Sequence, residues 1–196
     1  MRGIILLAAG YSRRFGAMKL AARMPDGRTL LQHSLTRAQQ TGFPVVLVSR
    51  SEILSECNLE HLVNDLTLQL INSPDANLGM GHSLQAGVAA IADTWEACLV
   101  CLADMPQLRS ETCRQLLLAV DADHIAQPSF NGQPGNPLAF GRRFFPELLA
   151  CQGDRGARQF IKRHPSQLID LPVDDPGILF DVDRRADLQQ LREPRE

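Results

Sequence analysis

Residues 7–19 read LAAGYSRRFGAMK, and their types and spacing suit the binding of an anion. Leu7 ends an apolar run. Ala8, Ala9 and Gly10 then carry so little side chain that a polyphosphate can approach the backbone N–H groups. Successive N–H groups in a turn form an anion nest. Ser12 adds a hydroxyl, Arg13, Arg14 and Lys19 add positive charge, and Gly16 allows the turn that brings Lys19 back. A hydrophobic core needs none of this. Taken alone, the same residues also suit a surface turn with solvated arginines. The two standard phosphate motifs are absent: Gly10 and Gly16 have the wrong spacing for a Walker loop, and no G-x-G-x-x-G occurs in the stretch. The other group with evident chemistry is Asp104, at the end of the apolar run ACLVCLAD. Mg²⁺ prefers one or two protein carboxylates, with phosphates and waters completing its octahedron. Asp104 is such a ligand if its strand end faces the anion loop, and otherwise a cap for the next turn.

These residues need a scaffold that brings several strand ends to one edge. Short apolar runs alternate with amphipathic stretches along the chain. Strands are expected at 3–9, 43–50, 66–72 and 97–104, with helices at 29–42, 81–93 and 110–120, the last with Ser110 as N-cap. A helix and a frayed tail are expected over 187–196. Alternating strands and helices imply an α/β fold, a Rossmann-like, mostly parallel sheet with helices on both faces, in a single domain over 1–196. In such sheets ligands bind at the carboxyl ends of the strands, where residues 7–19 and Asp104 both fall. The proline-rich stretch 128–177 breaks the rhythm. It reads as an insertion that builds a second half of a cleft, not an independent domain, beside the part at 1–127 that holds the anion loop.

Composition narrows the class. The 196 residues are 44% hydrophobic and 21% charged, with a formal net charge of −2. That balance argues against bulk attraction to nucleic acid or to an anionic membrane, so any anion site must be built locally. Five cysteines, an odd number without regular spacing, argue against a disulfide framework and suit a reducing cytoplasm. Cys98 and Cys101 form a C-x-x-C inside a strand, where positions three apart point to opposite faces, so they read as core thiols. With no leader pattern and no apolar run of about 18 residues, neither secretion nor membrane insertion is expected.

The opening stretch resembles the signature L-A-[AG]-G-x-S-x-R-[FM]-G-x-x-K of the nucleotidyltransferases that make molybdenum cofactor dinucleotides. These belong to a superfamily of nucleotide-diphospho-sugar transferases with a glycosyltransferase-A-like fold. Gly10, Ser12, Arg14, Gly16 and Lys19 carry the match. The resemblance implies that this loop wraps a nucleoside triphosphate, with Arg14 and Lys19 on its phosphates and Arg13 auxiliary. CLADMPQL repeats a family feature and implies that Asp104 binds the metal, Mg²⁺ or Mn²⁺. FDVDRRADL resembles D-[IV]-D-T-P-x-D-L and implies Asp183 as second ligand, with Asp181 as its alternative. Arg184 and Arg185 stand where Thr-Pro is usual, so Asp183 could instead cap the last helix.

The segment NSPDANLGMGHSLQAGV resembles the corresponding one in cytidylyl-transferring members. It implies that Gly79 and Gly81 let the backbone approach a flat base, with Ser83 a donor to a pyrimidine carbonyl. His82 stands where a small residue is commoner and is given no role. GNPLAF and GDRGAR match further family segments. They imply that Asn136 and Pro137 shape the acceptor side and that Asp154, Arg155 and Arg158 approach the pterin or its phosphate, although Asp154 also suits an ordinary helix start. The expected activity is transfer of CMP from CTP to the terminal phosphate of molybdopterin, with release of pyrophosphate. CTP and molybdopterin are then the partners, with a client molybdoenzyme or its chaperone as a further one, and neither nucleic acid nor membrane. The rivals are a guanylyl or sugar-phosphate nucleotidyltransferase, or a carrier that binds the pterin without turnover.

Overall fold

The computed structural model describes residues 1–12, 15–59, 68–151, 153, 158–189 and 191, with the backbone alone at 158 and 159. The run of aliphatic residues after Arg2 forms strand β1 (Arg2–Ala8), buried from its second residue onward. It pairs in parallel with β2 (Val45–Ser49) on one side and β4 (Ala97–Leu102) on the other, so that Ile5 lies level with Val46 and Val100. β3 (Leu68–Asn72) extends the sheet beyond β2. The expected strand start at 66–67 lies outside the described residues.

Helices cover both faces. Alternate residues of the central strands fall into two cores. Ile4, Leu6, Leu47, Leu99 and Cys101 pack on one face with side chains of α1 (Leu30–Gln39) and α4 (Ser110–Ala119). Ile5, Val46, Val48, Cys98 and Val100 pack on the other with α3 (Met80–Ala89) and α5 (Phe145–Leu149). Cys98 and Cys101 are thus buried thiols on opposite faces of one strand, and burial pushes the Cys98 thiol well above its ordinary range. The small residues of α3 matter most at Gly87, where an added Cβ would lie 2.6 Å from Ile5 Cγ2.

The proline-rich stretch contributes to the same sheet. β5 (Ile125–Phe130), β6 (Gln133–Pro134), β7 (Leu138–Gly141) and β8 (Leu168–Pro172) complete eight strands in the order β3-β2-β1-β4-β7-β5-β6, with β8 also on β5. β7 runs antiparallel to β4 and β5, which makes the sheet mixed. α2 (Ser51–Glu56) follows β2, α6 (Arg158–Arg163) precedes β8, and α7 (Arg185–Gln189) lies near the end.

One expected cap is corrected. Ser110 is the first residue of α4, and its hydroxyl donates to the Arg37 carbonyl at 2.9 Å. The free N–H of Arg109 goes instead to Asp175, a buried carboxylate that also accepts from the Thr112 hydroxyl and the Gly177 N–H. A tertiary acid replaces the local cap. At the start of α7 the Asp187 carboxylate, inside the helix, accepts the N–H groups of Asp183 and Arg184 at 2.8 and 2.7 Å.

Candidate active site

β1 and β4 are neighbours in space but not in sequence, and a crevice opens beyond their carboxyl ends. It is a cleft of about 530 Å³. Leu7, Ala8, Ala9, Gly10, Ser12 and Lys19 line it from the β1 side, Asp104 from the β4 side, and Ser83 and Asp183 from elsewhere in the chain. Met80 and Phe15 line it too.

The loop after β1 is held from three directions. The Ser12 Oγ accepts the Lys19 N–H at 3.3 Å, tying the loop's ends together, while Ser12 itself sits at φ 49°. Phe15 is buried, and its N–H donates to the Ser12 carbonyl. Arg50, the first residue after β2, donates from Nε to the Ala9 carbonyl at 3.0 Å, and its guanidinium lies 3.9 Å above the Tyr11 ring. Sequence reasoning passed over Arg50; its place at the carboxyl end of the neighbouring strand was the available signal. Gly16 turns at φ 73° and does not line the cleft. Arg13 and Arg14 lie outside the described residues.

Three carboxylates meet at the mouth. Asp104, Asp181 and Asp183 each offer an oxygen, all within 4.8 Å of one another. The buried Val182 between the latter two donates its N–H to the Asp104 carbonyl at 2.9 Å, which docks this late segment on the end of β4. The Lys19 ammonium lies among them, 2.7 Å from Asp104 Oδ2 and 3.5 Å from Asp183 Oδ1. Asp104 Oδ1 is buried without a hydrogen-bond partner. Partial burial, with the charges of Asp104 and Asp183 beside it, pushes the Asp181 carboxyl above its usual range, an effect that Lys19 partly offsets. Three hard oxygen donors with one buried oxygen unsatisfied fit a divalent cation such as Mg²⁺ or Mn²⁺.

The segment after β3 forms the wall opposite the loop. Residues Pro74–Leu78 make a 3-10 turn, and Gly79 at φ 122° leads into α3. Only glycine adopts that conformation without strain. The Gly81 N–H donates to the Gly153 carbonyl at 2.8 Å, so that amide is already used. Ser83 Oγ is 3.1 Å from Ser73 Oγ. Met80 and Ser83, rather than Gly79 and Gly81, face the cleft.

The expected acceptor residues are less complete. Asn136 and Pro137 are joined by a cis peptide, and the Asn136 N–H donates to the Ile178 carbonyl at 3.0 Å, outside the cleft's lining. Asp154 and Arg155 lie outside the described residues. Arg158 opens α6, and its side chain is likewise outside them.

Comparison with known proteins gives the family. The MobA-like NTP transferase domain matches residues 4–168. Purine catabolism protein PucB of Bacillus subtilis is 30% identical, over 96% of this chain and 94% of its own. The molybdenum cofactor cytidylyltransferase of Escherichia coli is 26% identical over the same shares. A protein of Trichormus variabilis named as a probable molybdenum cofactor guanylyltransferase is 30% identical, over 94% of this chain and 87% of its own. The crystal structure of Rv0371c from Mycobacterium tuberculosis superposes with a TM-score of 0.81 at 25% identity, covering 97% of this chain and 96% of that one.

Proposed function

We propose that this chain, which belongs to the MobA-like NTP transferase family, transfers CMP from CTP to the terminal phosphate of molybdopterin and releases pyrophosphate. Its nucleotidyltransferase character comes with the family. The choice of nucleotide and acceptor is our reading. The observation that carries it is the meeting of the β1 loop, Lys19 and the three carboxylates at one crevice.

Two anions must be brought together, so the chain's task is alignment and charge neutralisation. The short side chains of Ala8, Ala9 and Gly10 leave room for the triphosphate along the backbone. Arg14, with Arg13 beside it, and Lys19 hold the phosphates. Lys19 exchanges its carboxylate partner for a phosphate oxygen as the nucleotide enters, and then stabilises the leaving pyrophosphate. Asp104 and Asp183, with Asp181 beside them, would hold Mg²⁺ or Mn²⁺. Such an ion supplies Lewis-acid charge to phosphate oxygens. A phosphate oxygen of the acceptor attacks the α-phosphorus as its bond to the β-phosphate breaks. The acceptor is already anionic, so no general base is required of the chain. Gly79, Gly81 and Ser83 frame the base. Asn136, Pro137, Asp154, Arg155 and Arg158 form the acceptor side, and a client molybdoenzyme or its chaperone receives the product in the cytoplasm.

Met80 and Ser83 at the cleft suit a small pyrimidine, and the similarity to the cytidylyltransferase supports CTP. The similarity to the guanylyltransferase favours GTP as the second reading. Competition between labelled CTP and GTP, with molybdopterin as acceptor, tests the assignment. CMP incorporation should exceed GMP incorporation by at least about tenfold, and Asp104→Asn should abolish it. Equal incorporation, or a preference for guanine, would refute the cytidylyl reading.

A further inference from the structure

A second cavity, of about 670 Å³, shares no lining residue with the crevice. Its walls come from residues 24–26 and α1, the segment that follows Asp104, Phe130 of β5, and the turn that precedes Asp181. Among its lining groups, the acidic ones are already answered. Asp26 is met by His33 Nε2 at 2.9 Å and Arg28 Nε at 2.7 Å. Asp175 is almost fully buried and accepts from the Arg109 N–H, the Thr112 hydroxyl and the Gly177 N–H. The Arg109 guanidinium lies 3.9 Å from Asp175 and also donates to the Asp174 carbonyl.

Arg37 is different. Its Nη1 reaches only the Leu108 carbonyl, at a long 3.4 Å, and its Nε is buried with no hydrogen-bond partner. No carboxylate among the described residues pairs with it. A guanidinium has five N–H donors in a planar fork; the buried Nε is out of a ligand's reach, and Nη2, which makes no hydrogen bond among the described residues, is the donor left for one. The same cavity presents two half-buried aromatic rings, Phe130 and Phe180. A fork that wants an oxyanion beside rings that want a flat apolar surface defines a ligand chemistry.

We propose that this cavity is a binding site for a small planar-ring compound bearing a carboxylate or phosphate, with the oxyanion on Arg37 and the ring against Phe130 and Phe180. The site is separate from the nucleotide crevice and does not depend on which nucleotide is transferred.

Calorimetric titration with phenyl phosphate and with benzoate tests this, with neutral benzamide as control. At least one of the two anions should bind, and the preferred one identifies the headgroup. Arg37→Gln should weaken that binding about tenfold or more, the scale of a lost charge-assisted hydrogen bond. Arg37→Lys should fall between, and Lys19→Met, in the other cleft, should leave it unchanged. In the unaltered protein, NMR shifts on titration should centre on Phe130 and Phe180, which keeps the test decisive if an Arg37 variant does not fold. The proposal is overturned if neither anion binds at tens of millimolar, if benzamide binds equally well, or if Lys19→Met abolishes binding while Arg37→Gln does not.

Discussion

Replacing Lys19 by methionine should tighten divalent-cation binding to the nucleotide-free protein while it slows nucleotidyl transfer. The reason lies in what the ammonium touches. It sits 2.7 Å from Asp104 Oδ2 and 3.5 Å from Asp183 Oδ1, among the oxygens that a cation would use. A cation taking Asp104 Oδ2 must first break that hydrogen-bonded ion pair. Hydrogen bonds to charged groups contribute about 1.5–3 kcal/mol. At about 1.4 kcal/mol per factor of ten, their removal should tighten Mn²⁺ binding by roughly tenfold to a hundredfold. Methionine keeps most of the apolar stem, which matters because Lys19 is only 9% exposed. Transfer should fall by roughly tenfold to a thousandfold, the range for losing a charged contact to the transition state. Calorimetry with MnCl₂ in the absence of nucleotide gives the first quantity, and a pyrophosphate-release assay gives the second. Unchanged or weaker Mn²⁺ binding in the variant would refute the competition between ammonium and cation. Full transfer activity would remove Lys19 from the phosphate-binding role.

Three further outcomes follow from the same geometry. Asp181 has its carboxyl pKa raised in the folded protein, so its ionisation opposes folding: stability is lost as pH rises from about 4 through the folded value. Asp181→Asn should therefore melt higher than the parent at pH 7 without metal, with the gain vanishing below about pH 4; thermal melts across that range check it. Arg50→Ala removes both the hydrogen bond to Ala9 and the stacking on Tyr11, and should raise the KM for the nucleoside triphosphate about threefold to tenfold with less change in kcat, measured by initial rates. Gly87→Ala should destabilise by about 1–3 kcal/mol in urea unfolding, because the added methyl meets Ile5 and Val48 in a packed core.

What was legible in the sequence was local. The central strands, the small-residue helix α3 and the opposed faces of Cys98 and Cys101 follow from periodicity over a few residues. The composition of the β1 loop likewise points to an anion nest, with a solvated surface turn as the alternative it leaves open. What stayed hidden depends on pairings across the chain. The cap of α4 comes from Asp175, 66 residues away from Arg109, and no local pattern announces it. Asp181 was named only as an alternative to Asp183, yet both stand beside Asp104, because the order of residues cannot show that Val182 docks on the Asp104 carbonyl. The Gly81 amide illustrates the converse: a glycine marks a close backbone approach, but not which neighbour makes it, and here it is Gly153.

The position of the site is a consequence of strand order. β1 lies between β2 and β4, so its carboxyl end is flanked by two others running the same way. β2 delivers Arg50, which fixes the loop at Ala9 and Tyr11. β4 delivers Asp104, which meets Lys19 from the far end of that loop. Had β4 joined the sheet beyond β3, Asp104 would stand two strands further from Lys19, at about 4.8 Å per strand, and no side chain would close the gap. Beyond β4 the direction reverses with the antiparallel β7, and no parallel neighbour there closes the crevice from that side. The late segment around Val182 packs against the Asp104 carbonyl and brings Asp181 and Asp183 to the same edge. A chain of net charge −2 therefore brings a lysine and three acids together at one opening. An anionic nucleotide with its metal is the kind of ligand that needs both.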